Sequence, residues 1–142
     1  MADNSTALEF NAGLRVAQVR IARPTRQLDA VTRFYRDGLG LAVIGSFAGH
    51  AGYDGVMFGL PGSSHHLEFT QHHGDSPCGI PAPDNLLVLY VLDAGQRQDL
   101  YQRLAAVGAR EVAPENPYWL DKSRTFEDPD GWRVVICAQT GV

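Results

Sequence analysis

Apolar and polar positions along the chain alternate first with a period of two, then with a helical period, and this switch occurs twice in the same order. Residues 14–22, LRVAQVRIA, alternate as a strand does. Over 27–37, QLDAVTRFYRD, Leu28, Val31 and Tyr35 share one stripe with Phe34 beside them, which predicts a helix. Gly38 stops it and Gly40 follows, glycine being the residue that best tolerates the left-handed position after a helix. Short strands are predicted at 41–47, 53–60 and 65–72. The segment 74–83, GDSPCGIPAP, holds three prolines and two glycines, so it reads as a linker.

The second half repeats the plan. Residues 85–92, NLLVLYVL, form an almost wholly apolar strand, and 95–107 a helix with Leu100, Leu104 and Val107 on one face, ended by Gly108. Strands follow near 110–113, 118–127 and 132–139. The order β-α-β-β-β therefore recurs at a spacing of roughly 65–70 residues. The prediction is an α+β chain of paired βαβββ modules, 14–73 and 84–139, in one domain spanning 1–142. Residues Met1 to Asn11 are polar and weakly patterned and read as a partly ordered leader.

Composition narrows the function more than the fold. A formal net charge of −4 and no run of Lys or Arg exclude the electrostatic footprint of a nucleic-acid binder. The longest apolar run, Leu86 to Leu92, is far too short to cross a bilayer, so no membrane partner is expected. Cys78 and Cys137 lie far apart with no CxxC spacing, which fits a reducing cytoplasm. No GxSxG elbow, phosphate-cradling loop or HExxH motif is present. What remains is a protein for a small organic molecule. His65, His66, His72 and His73 cluster with His50 nearby, and Tyr118 and Trp119 sit together in a proline-containing loop, as a lid or stacking platform or as plugs of the core. Asp128 and Asp130 lie in a DPDG turn, where carboxylates commonly bond to backbone amides.

Three motifs carry a resemblance. FYRDGLGL at 34–41, HHLEF at 65–69 and FEDPDGWRVVIC at 126–137, in this order, resemble the vicinal oxygen chelate superfamily of glyoxalases, bleomycin-resistance proteins and extradiol dioxygenases. RIARPT, GYDGVMFGLP and HLEFTQH are similar to its YycE-like members. The resemblance implies an incomplete barrel around a pocket, and, in metal-using members, a divalent ion held by four inward positions. Carried over one by one, those positions fall on Arg20, Glu68, Leu86 and Val135. Of these only Glu68 can ligate, since guanidinium has no free lone pair. Alternation then turns Gln18 and Val16 inward with Arg20, His66, Thr70 and His72 with Glu68, Val88 and Tyr90 with Leu86, and Arg133 and Cys137 with Val135.

The resulting expectation is a small-molecule-binding protein whose ligand-facing residues are Arg20, Gln18, His66, Glu68, Tyr90, Tyr118 and Trp119. Arg20 and Glu68 should approach each other, either as a pair that neutralises the vacated site or with Arg20 free to grip an anionic ligand. No cofactor is expected. The alternative is a lyase, isomerase or dioxygenase using a rearranged site around Glu68, His66 and Arg20, through a divalent metal at Glu68 and His66 or acid–base chemistry beside Arg20. The resemblance also implies a homodimer.

Overall fold

A computed structural model describes residues 13–75 and 77–141, so the expected leader lies outside the described residues. The element order is β1 (Arg20–Pro24), α1 (Leu28–Thr32) running into a π-helical turn (Arg33–Gly38), β2 (Val43–His50), β3 (Tyr53–Gly59) and β4 (His66–His72). The second module comprises β5 (Leu86–Tyr90), α2 (Ala94–Ala106), β6 (Arg110–Val112), a 3₁₀ turn (Pro117–Trp119), β7 (Ser123–Glu127) and β8 (Arg133–Cys137). Two four-stranded sheets result, ordered β1-β4-β3-β2 and β5-β8-β7-β6. In each, the module's first strand pairs parallel with its last and the other neighbours are antiparallel. The predicted βαβββ order thus appears twice, and no helix among the described residues is long and apolar enough to cross a membrane.

The first helix widens because of what it meets. Leu39 N–H donates to Phe34 O, five residues back, at 2.9 Å. A β-carbon on Gly38 would come within 3.1 Å of Val107 and 3.2 Å of Leu104, so the helix end presses onto α2 where a larger residue would have to push these side chains aside. The stripe read from the sequence is the buried one: Val31, Phe34 and Tyr35 are inside, with Leu28 packed against them. The second helix is capped by Asp93, whose carboxylate accepts the Gln96 N–H at 2.8 Å. Leu100 and Leu104 form its buried face.

One apolar cluster draws on both modules: Phe34 and Tyr35 from the first helix, Phe58 and Phe69 from the first sheet, Leu104 from α2, and Ile136 from the second sheet. Each fully buried large side chain contributes about 1.5–3 kcal/mol relative to its exposure. A polar lock crosses this core. Tyr35, fully buried, donates its hydroxyl to Asp128 Oδ2 at 2.8 Å, while Asp128 Oδ1 accepts the N–H groups of Asp130 and Trp132. Burial raises the pKa of both Tyr35 and Asp128. The FYRDGLGL and DPDG motifs therefore meet in one hydrogen bond between modules.

Two boundaries differ from the sequence reading. The first strand begins at Arg20 and not at 14, because its parallel register starts at Arg20 opposite His66 and the turn before His66 offers no ladder to pair with. The strand expected at 118–127 begins at Ser123; Pro117 opens a 3₁₀ turn and Asn116 caps it by accepting the Tyr118 N–H at 3.0 Å. Past that turn, Trp132 stacks under the Arg23 guanidinium at 4.2 Å.

Candidate functional site

Leu67 and Phe69 of β4 point into the core, so the alternate residues His66, Glu68 and Thr70 lie on the opposite face of the first sheet. Cross-strand partners share a face, which brings Arg20 beside His66, Ala22 and Met57 beside Glu68, and Gly55 beside Thr70. This open face is where chemistry collects.

Arg20 is held from three sides. Its Nε–H donates to His66 Nε2 at 2.9 Å, its Nη1 lies 3.3 Å from Glu68 Oε2, and its Nη2 lies 3.4 Å from Met57 Sδ. Accepting a guanidinium proton requires an unprotonated Nε2, so the His66 ring carries its hydrogen on Nδ1, which sits 3.4 Å from Ser64 O. His66 is buried and Glu68 is 12% exposed at its side chain, but the Arg20 side chain remains 48% exposed. The expected Arg20–Glu68 approach is present, with the cation half in solvent.

The same face continues toward the strand ends. Tyr53 and His72 pack ring to ring at 4.6 Å between centroids. A cavity of about 430 Å³ opens there, lined in part by Ala22, Arg26, Tyr53, Thr70 and His72. His65 and His73, expected to face away, have structural partners: His65 Nδ1 accepts the Val19 N–H at 3.0 Å, and His73 pairs with Asp54 at 2.8 Å. That contact, with the Gly49 N–H, holds the Asp54 carboxyl below its usual range.

The remaining candidates are not brought to Arg20. Gln18 lies before the strand, so alternation does not turn it inward; its amide donates to Ser64 O at 3.0 Å and ties the preceding segment down. Tyr90, Tyr118 and Trp119 belong to the second module and make no hydrogen bond, ion pair or ring contact with Arg20, His66 or Glu68 among the described residues. Tyr118 and Trp119 pack edge to face at 4.9 Å, and Lys122 Nζ sits 3.1 Å above the Tyr118 ring, occupying the face a ligand would stack on. Met57 and Phe47 were missed in the sequence. Met57 had a signal, since it faces Glu68 across the regular β3–β4 hairpin; Phe47 faces Gly55 across the shifted β2–β3 pair and had none.

The inherited metal positions do not fit a divalent ion. Arg20 is a cation, Leu86 and Val135 have no donor, and the His66 Nε2 lone pair is taken by Arg20. Among the described residues no group of three or more His, Cys, Asp or Glu is placed to hold a metal.

Comparison with known proteins agrees with this architecture. The YycE-like N-terminal domain model matches residues 19–70 and the YycE-like C-terminal domain model matches 84–138. The uncharacterized protein YycE of Bacillus subtilis is 51% identical over 131 residues, covering 92% of this chain and 94% of that protein. Its crystal structure superposes with a TM-score of 0.86 over 92% of this chain and 96% of the other. The fosfomycin resistance protein FosX from Mesorhizobium loti shares the fold, at 14% identity and a TM-score of 0.66 over 90% of this chain and 95% of that one. Two family models across both modules and a relative of this identity define the assignment: the chain belongs to the YycE-like family, within the vicinal oxygen chelate superfamily.

Proposed function

We propose that this protein binds a small organic anion and uses the Arg20 guanidinium, in place of a resident divalent metal, as its fixed positive charge. The observation that carries the reading is the three-sided hold on Arg20 by His66, Glu68 and Met57, which leaves the cation half exposed on an open sheet face. Arginine has five N–H donors in a rigid fork. Nε donates to His66 and one Nη2 proton to Met57, while Nη1 lies 3.3 Å from Glu68 as an ion pair without a hydrogen bond, so donors remain on both terminal nitrogens, the arrangement that suits a carboxylate or phosphonate.

The binding unit in this proposal is a homodimer in a reducing cytoplasm. Val43 and Ile44 on β2, and Tyr90 and Leu92 at the end of β5, are exposed apolar side chains beside strands at the sheet edges. A second copy would cover such edges, which are otherwise templates for pairing. A sedimentation profile showing only monomer at micromolar concentration would remove this part of the proposal.

The binding reading is tested by melting temperature. Acetate and methylphosphonate at millimolar concentration should raise the Tm of the wild type and leave that of Arg20→Gln unmoved. Equal shifts in both proteins would overturn it.

A further inference from the structure

The open face has a floor as well as a charge. Phe47 and Gly55 are cross-strand partners, as are Met57 and Gly45. A β-carbon on Gly55 would collide with the Phe47 ring at Cζ and Cε1, and one on Gly45 would come within 2.9 Å of the Met57 methyl. Each large side chain therefore lies down over a glycine of the neighbouring strand. Ala22, in the same cross-strand row as Met57 and Glu68, adds only a methyl group. A low apolar platform results, with the Met57 sulfur in contact with Arg20 at one side and the Tyr53–His72 ring pair farther along β3 and β4.

We infer that the ligand class of this face is an aromatic monocarboxylate, its carboxylate on Arg20 and its ring on the Met57–Phe47 platform. The inference rests on the reading of Arg20 as the anion handle and adds the ring to it. Geometry sets the scale. The guanidinium already reaches the Glu68–Met57 row, and the Gly55–Thr70 row lies two residues farther along β4, about 7 Å at the usual rise per strand residue. A single ring spans that distance from a carboxylate at Arg20. Chemistry selects the ring: a thioether favours the edge of an aromatic ring, and the Phe47 ring offers an offset or edge-on partner. Charge selects the monoanion. Glu68 already stands 3.3 Å from Arg20, so a second negative charge on the ligand would meet a carboxylate.

The experiment compares benzoate, cyclohexanecarboxylate, acetate and inorganic phosphate on the full chain. Calorimetric titration should give benzoate about tenfold tighter than acetate, with phosphate no tighter than acetate. Phe47→Leu keeps an apolar side chain over Gly55 and should bring benzoate to within about twofold of acetate. A readout on the unsubstituted protein guards against misfolded variants. The chain has two methionines, Met1 and Met57, so the ¹³C-methyl signal of Met57 is readily assigned. Benzoate should shift that signal by ring current, and cyclohexanecarboxylate should not. If acetate and benzoate bind equally and both require Arg20, the aromatic class is wrong while the anion handle stands. If neither binds, or both bind Arg20→Gln as they bind wild type, the handle itself is wrong and this inference falls with it. If Phe47→Leu alters the oligomeric state and leaves benzoate affinity unchanged, the platform is an interface between copies and the inference is overturned.

Discussion

On the first sheet, the face turned away from the core cluster carries Arg20, His66, Glu68 and Met57; on the second, the equivalent strands carry Leu86, Val88, Thr125 and Val135, with an Arg133–Glu127 ion pair at one end. Strand order and directions are the same in both. Their core faces match too, with Leu67 and Phe69 on one and Val134 and Ile136 on the other. The opposite faces diverge in burial as well as in chemistry: Val135, Thr125 and Cys137 are covered within the chain, whereas the Arg20 side chain stays half exposed. A duplicated fold needs its core face to remain apolar, because that face holds the helices. The second face is under no such demand, so one copy can present a half-exposed cation while the other is wall apart from the largely buried Arg133–Glu127 pair.

The largest expected effect tests what joins the halves. Asp128 accepts three hydrogen bonds inside the protein, one of them from Tyr35 across the module boundary. Asp128→Ala leaves a buried hydroxyl and two amides without partners and should cost about 3 kcal/mol in denaturant unfolding. Tyr35→Phe removes one donor only and should cost about 1–2 kcal/mol. A loss below about 1 kcal/mol for Asp128→Ala would mean the modules are held by apolar packing and by the Gln27 hydrogen bonds to Pro129 and Asp130, not by this carboxylate.

The same carboxyl gives a pH signature. Burial raises the folded-state pKa of Asp128 above its ordinary value, so the folded protein holds this proton more tightly than the unfolded chain. Stability from this group therefore increases as pH falls through the raised pKa toward the ordinary carboxylate range, and is lost as pH rises through it. Asp128→Asn has no such proton. The stability of wild type minus that of Asp128→Asn should grow as pH is lowered from 7 through mild acid, and a difference that shrinks would contradict the assignment.

Much of this architecture was legible in the residues, for physical reasons that also mark the limits. The stripe Leu28, Val31, Phe34 and Tyr35 predicted the first helix because burial selects it, but the π turn depends on Gly38 meeting Leu104 and Val107 far along the chain. Alternation over 14–19 looked like strand, yet a strand needs a paired neighbour and the β4 ladder starts only at His66. The approach of Arg20 to Glu68 was readable from motif positions and parity. The packing of Phe47 over Gly55 and of Met57 over Gly45 was not, since the β2–β3 register shifts between Val43 and Gly45 and again between Phe47 and His50. Counting along the hairpin does not recover those partners.

A smaller effect sharpens the contrast on the second sheet. Thr125 is buried, and its hydroxyl has no hydrogen-bond partner. An unpaired buried hydroxyl carries a desolvation cost that an isosteric methyl does not. Thr125→Val should raise stability by about 1 kcal/mol, as expected if this face is wall. Destabilisation of that size would mean that Thr125 holds a water or a ligand, and the two faces would be more alike than they look.

The smallest expected effect bears on the first sheet. A buried Arg–Glu pair loses about 3–5 kcal/mol when one partner is removed, because the other charge is stranded. Here Glu68 is nearly buried but Arg20 is half exposed, so water can solvate the guanidinium and screen the pair. A double-mutant cycle on Arg20→Ala and Glu68→Ala should therefore give a coupling of about 0.5–1 kcal/mol. Glu68→Ala alone should be tolerated, since Arg20 keeps His66 and solvent. Arg20→Ala should cost more than Glu68→Ala, because it leaves a carboxylate at 12% exposure and strips His66 Nε2 of its donor. A coupling of about 3 kcal/mol or more would make the pair a structural element in its own right and would leave Arg20 too committed to Glu68 to serve a ligand. A coupling near zero would leave His66 as the residue that orients Arg20, and His66→Ala should then weaken anion binding more than Glu68→Ala does.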